Sequence, residues 1–282
     1  MFEKFKNNKA LRIRLAVLVL LLVLICPGLY NKLKTVNYLI DSELVDSRVR
    51  ICLITDLHSC KYGEEESELI DAVYSASPDV ILLGGDIFDD EMPNGNTESF
   101  IRGISGRYPV YYVTGNHEYW STDEKFAEDL EILERYGITR LQGQIELLEL
   151  NGSTIALSGV DDTDSYYIEQ PSQFENQLEQ ASSNLPEDVF SVLLSHRPEL
   201  VEYYENSGFD LVLSGHAHGG QWRIPGILNG LFAPDQGLFP KYAGGLYNLG
   251  DTILIVSRGL ARESTRIPRL YNRPELVIID VV

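Results

Sequence analysis

The chain has 282 residues, 44% hydrophobic and 23% charged, ordinary values for a globular protein with a substantial buried core. Its net charge of −19 is unevenly spread: residues 1–34 carry seven Lys/Arg against one acid, and the remainder carries 16 against 41. So acidic a body excludes nucleic acid as a partner, because phosphate contacts call for Lys and Arg, and three cysteines exclude a disulfide framework.

Lys4, Lys6, Lys9, Arg12 and Arg14 precede an apolar run from Leu15 to Tyr30. As a helix that run rises roughly 25 Å, the short end of a bilayer span. Pro27 and Gly28 break or kink it near its end. The excess of positive charge before the run predicts a basic cytoplasmic tail and a single-pass transmembrane helix within residues 1–34. The rest then stands on the extracytoplasmic face of the cell membrane. A cleaved signal peptide, with its apolar region at Leu15 to Cys26, is the alternative and exports the body to the same side. Residues 35–47 read as a spacer, and 48–282 as one domain.

Val49 to Thr55 is a near-continuous apolar run, the pattern of a buried strand. Glu65 to Ser77 is an amphipathic helix stopped by Pro78, and Asp79 to Leu83 a second buried strand. A helix over Phe100 to Arg107 leads to a third strand, Val110 to Thr114. Thr122 to Tyr136 is a helix capped by Ser121 or Thr122 and ended by Gly137. Ile145 to Leu150 and Thr154 to Ser158 flank Asn151-Gly152, a hairpin signal. Gln173 to Ala181 is helical; Val189 to Leu194 and Leu211 to Leu213 are buried strands. Gly219 to Gly250 has little periodicity, and Thr252 to Ser257 and Leu276 to Val282 close the domain. Strands and helices in this order predict an α/β fold of two sheets flanked by helices.

Polar residues follow the buried strands directly: Asp56 and His58, Asp86 and Asp89, Asn116 and His117, His196, then His216 and His218. The carboxyl ends of strands are where open α/β sheets bind ligands. All five histidines of the chain fall there and none elsewhere. A lone His at a strand end is usually a satisfied loop residue, but that reading does not cover five together with these carboxylates. Imidazole and carboxylate without Cys suit Zn, Mn, Fe or similar ions.

The blocks DLH at 56–58, GDIFD at 85–89, GNHE at 115–118, SH at 195–196 and GHAH at 215–218 resemble, in order and spacing, the calcineurin-like metallophosphoesterase superfamily. The resemblance covers roughly residues 50–280. GHAHGGQ at 215–221 and RPEL at 273–276 look like a membrane-associated bacterial, phosphodiesterase-like subgroup. It implies a calcineurin-like two-sheet β-sandwich flanked by α-helices. It implies two divalent ions (Mn, Zn, Fe or Co), one held by Asp56, His58, Asp86 and His218, the other by Asp86, Asn116, His196 and His216, with Asp86 bridging. A metal-bound hydroxide would attack phosphorus, with His117 beside the leaving group and Asp89 orienting the His117 ring. Two ions bring four positive charges and the two aspartates remove two, leaving enough to hold a phosphate.

Arg197, Gly219 and Trp222 are candidate substrate contacts, and the aromatic-rich segment Trp222 to Tyr247 a candidate pocket wall. Arg197 reads equally as a structural salt bridge, Glu118 as site support or a structural hydrogen bond, and the acidic loop Asp161, Asp162, Asp164 as a polar turn. The expected substrate is a small-molecule or lipid-linked cell-envelope phosphodiester or pyrophosphate. A phosphomonoesterase, or a non-catalytic metal-binding scaffold, is the alternative.

Overall fold

The computed structural model describes residues 9–167, 173–262 and 267–282. Two six-stranded sheets stack face to face. The strands in chain order are β1 (Lys34–Ile40), β2 (Val49–Ile54), β3 (Val80–Gly84), β4 (Val110–Val113), β5 (Thr139–Arg140), β6 (Glu146–Leu150), β7 (Ser153–Gly159), β8 (Phe190–Leu194), β9 (Leu211–Ser214), β10 (Phe232–Ala233), β11 (Gly237–Leu238), β12 (Gly245–Leu249), β13 (Thr252–Val256) and β14 (Glu275–Val281). The first sheet runs β1-β14-β2-β3-β4-β5 and the second β12-β13-β9-β8-β7-β6. The central strands β2, β3 and β4 are mutually parallel, as are β7, β8, β9 and β13. The two sheets deliver the carboxyl ends of these strands to one edge of the sandwich, since Asp86, after β3, meets His196, after β8, and Asp56, after β2, accepts from the His216 N–H, after β9.

The helices are α1 (Lys9–Gly28), α2 (Ser67–Ala76), α3 (Gly95–Ile104), α4 (Asn116–Trp120), α5 (Asp123–Arg135), α6 (Phe174–Ser183) and α7 (Val201–Tyr204). Period-two alternation divides the core. Ile51 and Leu53 of β2 point between the sheets, against Leu157, Val192 and Leu213 of the second sheet. Cys52 and Ile54 point the other way and pack with Leu69 and Val73 of α2 and Phe100 of α3. The outer face of the second sheet meets Phe174 and Leu178 of α6 in the same manner. Each such side chain, wholly removed from water, contributes about 1.5–3 kcal/mol. Helix α5 begins where Thr122 Oγ1 accepts from the Lys125 N–H at 3.3 Å, with Asp123 and Glu124 in its first turn and Arg135 in its last.

Three expectations differ from the structure. The spacer 35–47 contains most of β1, whose alternate residues Val36, Tyr38 and Ile40 are the more buried, and which pairs in parallel with β14 along its whole length. The third helix begins at Gly95 rather than Phe100. Most importantly, the transmembrane helix is not found: among the described residues no helix is long and apolar enough to cross a membrane. Helix α1 has Arg12 and Arg14 in its first half and Pro27 near its end. Its charge-free part, from Leu15, rises about 20 Å, short of a hydrocarbon core about 30 Å thick. Lys4 and Lys6 of the basic tail lie outside the described residues.

Candidate metal centre

Asp56, Asp86, Asn116, His196, His216 and His218 lie on the segments that leave β2, β3, β4, β8 and β9, and His58 follows Asp56 by two residues. Each segment turns sharply. Asp56, His58, Asp86, His216 and His218 all adopt left-handed backbone, with φ of 50°, 48°, 51°, 63° and 46°. Non-glycine residues reach that region at a cost of about 1–2 kcal/mol each. Such strain persists where the surroundings over-determine it, most often at functional sites. Glycines allow close approach here: at Gly85, with φ +84°, a Cβ would sit 2.5 Å from Nδ1 of His196, and at Gly115 it would sit closer still to Oδ1 of Asp86.

The two aspartates divide their oxygens in the same way. Asp56 Oδ1 accepts from the His216 N–H at 2.9 Å, and Asp86 Oδ1 from the His117 N–H at 2.9 Å. In both, Oδ2 has no hydrogen-bond partner. The other five residues repeat the pattern: Nε2 of His58, Oδ1 of Asn116, Nε2 of His196, Nδ1 of His216 and Nδ1 of His218 are buried and unpartnered. Buried polar atoms without partners are rare and costly. Here seven of them gather in one place. Asp56, His58, Asp86 and His218 present ligand atoms within 4.8 Å of one another, and so do Asp86, His196 and His216; Asp86 belongs to both groups. A set of nitrogen and oxygen donors without sulfur fits a divalent cation.

The surroundings aim these donors. His196 Nδ1 donates to the Gly84 carbonyl at 2.8 Å, which turns Nε2 to within 3.1 Å of Asp86 Oδ2. His58 Nδ1 meets the Asp89 carboxylate at 3.1 Å, with Nε2 3.5 Å from the same Asp86 oxygen. His216 Nε2 meets Asp235 at 2.9 Å, leaving Nδ1 for the centre. Carboxylate or carbonyl groups behind metal-binding imidazoles fix both tautomer and ring angle. Glu118, wholly buried, accepts from the backbone N–H groups of Asp86, Ile87, Phe88 and Gly115 at 2.7–3.2 Å, tying the β3 and β4 segments together.

Charge follows the same logic. Burial would raise the Asp86 carboxyl, but the imidazoles of His196, His117 and His58 outweigh it and hold it well below the usual range. Burial, with His58 and Arg269 nearby, holds His218 well below its ordinary value, so it is a neutral donor. For His196, burial lowers the pKa and Asp86 overcomes it, raising it to about 10. A divalent cation on Asp86 competes with that proton, so cation binding and proton release are linked.

Other expected residues are placed differently. The hydrogen bond of Asp89 goes to His58 Nδ1, at 3.1 Å; it is Asp90 whose carboxylate meets His117 Nδ1, at 2.6 Å. Asp90 was legible only as a second acid next to Asp89, and Asp235 lies in a segment without periodicity that offered no signal. Arg197, a candidate substrate contact, is buried among carboxylates: Asp162 and Asp235 at 2.8 Å, Asp164 at 3.1 Å and Glu199 at 3.8 Å. With its guanidinium engaged on all sides, it is a structural hub. The acidic loop is its counterpart: Asp162 holds Arg197, Asp161 holds Arg140, and Asp164 joins Arg197 to the Trp120 indole. Gly219, at φ +63°, leaves room for Asn272, whose side-chain amide donates to the His218 carbonyl at 2.7 Å. Trp222 is 41% exposed and donates from Nε1 to the Pro268 carbonyl at 3.0 Å.

Known proteins resemble this chain in sequence and in fold. The family model for calcineurin-like phosphoesterases matches residues 49–220, which include all seven donors and His117. An uncharacterized metallophosphoesterase of Campylobacter jejuni, Cj0846, is 30% identical over 95% of this chain and 69% of its own length. The phosphodiesterase YaeI of Escherichia coli is 29% identical over 83% of this chain and 82% of its own. Among solved structures, the NAD nucleotidase NadN of Haemophilus influenzae superposes with a TM-score of 0.52 at 14% identity, over 76% of this chain and 45% of that one; this shows the shared fold alone.

Proposed function

Because this chain belongs to the calcineurin-like phosphoesterase family and is a metal-dependent phosphoester hydrolase, we propose that it hydrolyses a phosphodiester or pyrophosphate bond at two divalent ions. Asp56, His58, Asp86, Asn116, His196, His216 and His218 would hold them. The observation that carries this reading is the convergence of seven buried, unpartnered donor atoms around the Asp86 carboxylate. The donor set fits Mn, Zn, Fe or Co, and such ions, when bound, would lower the pKa of a water and neutralise phosphoryl oxygens.

The chain's own residues do the rest. Asp86 serves both donor groups, and the neutral imidazoles and Asn116 leave the site with surplus positive charge for a phosphate. His117 lies at the rim, its ring 4.4 Å from that of His58, and is not among the unpartnered donors. Asp90 occupies its Nδ1, so Nε2 is the atom that donates to the leaving oxygen. The Trp120 ring, 4.8 Å from His117 and half exposed, offers a flat apolar face beside that oxygen. Similarity to a phosphodiesterase favours the diester.

The same proposal attaches the chain to the cell membrane through α1, with the body on the extracytoplasmic face and a lipid-linked or other cell-envelope phosphoester as substrate. Exposed Val17, Val19, Leu22, Val23 and Ile25 along α1, and basic residues before them, support attachment. Protease added outside intact cells should then reach the body.

The chemistry is tested with bis-p-nitrophenyl phosphate and p-nitrophenyl phosphate, using metal-stripped protein resupplied with Mn, Zn, Fe or Co. We expect restored hydrolysis of the diester over the monoester, and loss of both metal and turnover in Asp86→Asn. Two bound metals without hydrolysis of either ester would mean either a demanding natural substrate, such as a lipid-linked ester, or a scaffold.

A further inference from the structure

A cavity of about 460 Å³ opens between the segment 223–229 and Tyr271. None of the seven metal donors lines it. Its polar wall is Arg223, Arg258 and Asn229; Ile227 and Leu228 form its apolar side.

The charges in this wall do not balance. Arg258 pairs with the buried Glu275 at 3.2 Å. Arg223 donates to the Gly219 carbonyl at 3.2 Å and to Oδ1 of Asn229, both neutral acceptors. Among the described residues no carboxylate lies within ion-pair distance of Arg223. Burial and the neighbouring Arg258 lower its pKa to about 10, so it keeps its proton at neutral pH. In a body that carries a large excess of acids, two guanidinium groups share a wall with one carboxylate. An anion entering the cavity would meet a fork of donors already held in place.

The rim is apolar and exposed. Ile227 is 84% exposed, and Ile224 and Trp222 are exposed beside it. The foot of α1 stands at the same place: the Gly28 carbonyl accepts from the Tyr271 N–H at 2.6 Å. Arg273 clamps the chain leaving α1, donating to the carbonyls of Lys32 and Leu33 and lying over the Tyr30 ring at 5.0 Å. The apolar helix and the arginine cavity thus share one end of the molecule, and their combination of a greasy rim with a half-buried cationic wall matches an anionic amphiphile.

We infer that the cavity between Arg223, Arg258 and Tyr271 binds the phosphate headgroup of an anionic membrane phospholipid, with Ile227, Ile224 and Trp222 seated among its neighbours. This rests on the reading that α1 meets a membrane, and not on the hydrolytic chemistry. The bound headgroup neutralises Arg223 and moors the loop that follows His218.

The test uses the full chain in a Trp120→Phe background, so that Trp222 alone reports by fluorescence. Binding to phosphatidylcholine vesicles is compared with and without phosphatidylglycerol. The basic residues before α1 favour the anionic vesicles in every variant, so the comparison lies between variants. Arg223→Gln should lose about five-fold of the preference for phosphatidylglycerol together with the Trp222 blue shift. Arg223→Lys should keep most of it. Asn229→Asp places a carboxylate at the same point on an exposed loop, and should act like Arg223→Gln. Undiminished preference in both Arg223→Gln and Asn229→Asp overturns the inference. A Trp222 shift reproduced by inorganic phosphate without vesicles overturns it in favour of a soluble anion. Absence of binding to any vesicle removes the membrane reading beneath it, whereas hydrolysis of p-nitrophenyl esters is scored separately and bears only on the chemistry.

Discussion

The Nδ1 atom of His117 lies 2.6 Å from the carboxylate of Asp90, a contact at the rim of the donor cluster. An imidazole anchored through Nδ1 presents Nε2 in a fixed direction. Asp90→Asn should therefore leave metal content unchanged and lower kcat by about 10–100-fold. His117→Asn should cost about 10²–10⁴-fold. Both losses should be larger for an alkyl leaving group than for p-nitrophenolate, which departs without a proton. Equal losses on the two leaving groups would remove the proton-donor role from His117.

Arg197 should prove to be a stability residue. Its replacement by Leu strands Asp162, which is 2% exposed, without its cation. Breaking a buried pair from one side costs about 3–5 kcal/mol, which for a chain of this size lowers Tm by roughly 10 °C. The double variant Arg197→Leu with Asp162→Asn should recover part of that loss. Thermal denaturation at fixed metal concentration measures both. A raised KM with unchanged Tm would instead return Arg197 to the substrate.

Asp129 on α5 accepts from the Asn94 side-chain amide at 2.6 Å through Oδ1, while Oδ2 is buried without a partner. Burial, reinforced by Glu118, pushes its pKa up to about 8 from an ordinary 3.8. Between those values the folded chain holds a proton that the unfolded chain has released. The stability contributed by this group is therefore complete below the ordinary value and is lost as pH rises through about 8. Asp129→Asn keeps the shape without the titration, so its Tm advantage over the parent should grow by several degrees from pH 4 to pH 9. Parallel Tm curves for the two proteins across that range would contradict the assignment.

The centre was legible because its residues stand at a place that sequence patterns mark. Buried parallel strands are short apolar runs, and whatever follows them lies at their carboxyl ends. Five histidines and two aspartates in those positions were visible as a set. Asp90 and Asp235 are not, because they act across the fold on rings 27 and 19 residues away, and an acid in a loop resembles every other acid in a loop. For Arg197 the sequence leaves a phosphate contact and a structural salt bridge equally open, and the structure decides for the salt bridge, because three of the four acids around it come from the distant segments 162–164 and 235. Strand β1 was missed because an edge strand with one buried face and a largely polar sequence differs little from a spacer, and only pairing with β14 identifies it.

The sequence by itself determined the period-two and helical patterns, hence the two-layer sandwich, and the kinds of donor atom available to a cation. These are local properties, since each depends on residue type and spacing along one strand or turn. Tertiary structure alone decided which nitrogen of each imidazole faces Asp86, which acid aims each ring, and that Arg223 and Arg258 share one cavity. Those outcomes depend on distances between segments far apart in the chain, and hydrogen bonds and charges act over a few ångströms of space, regardless of separation in sequence.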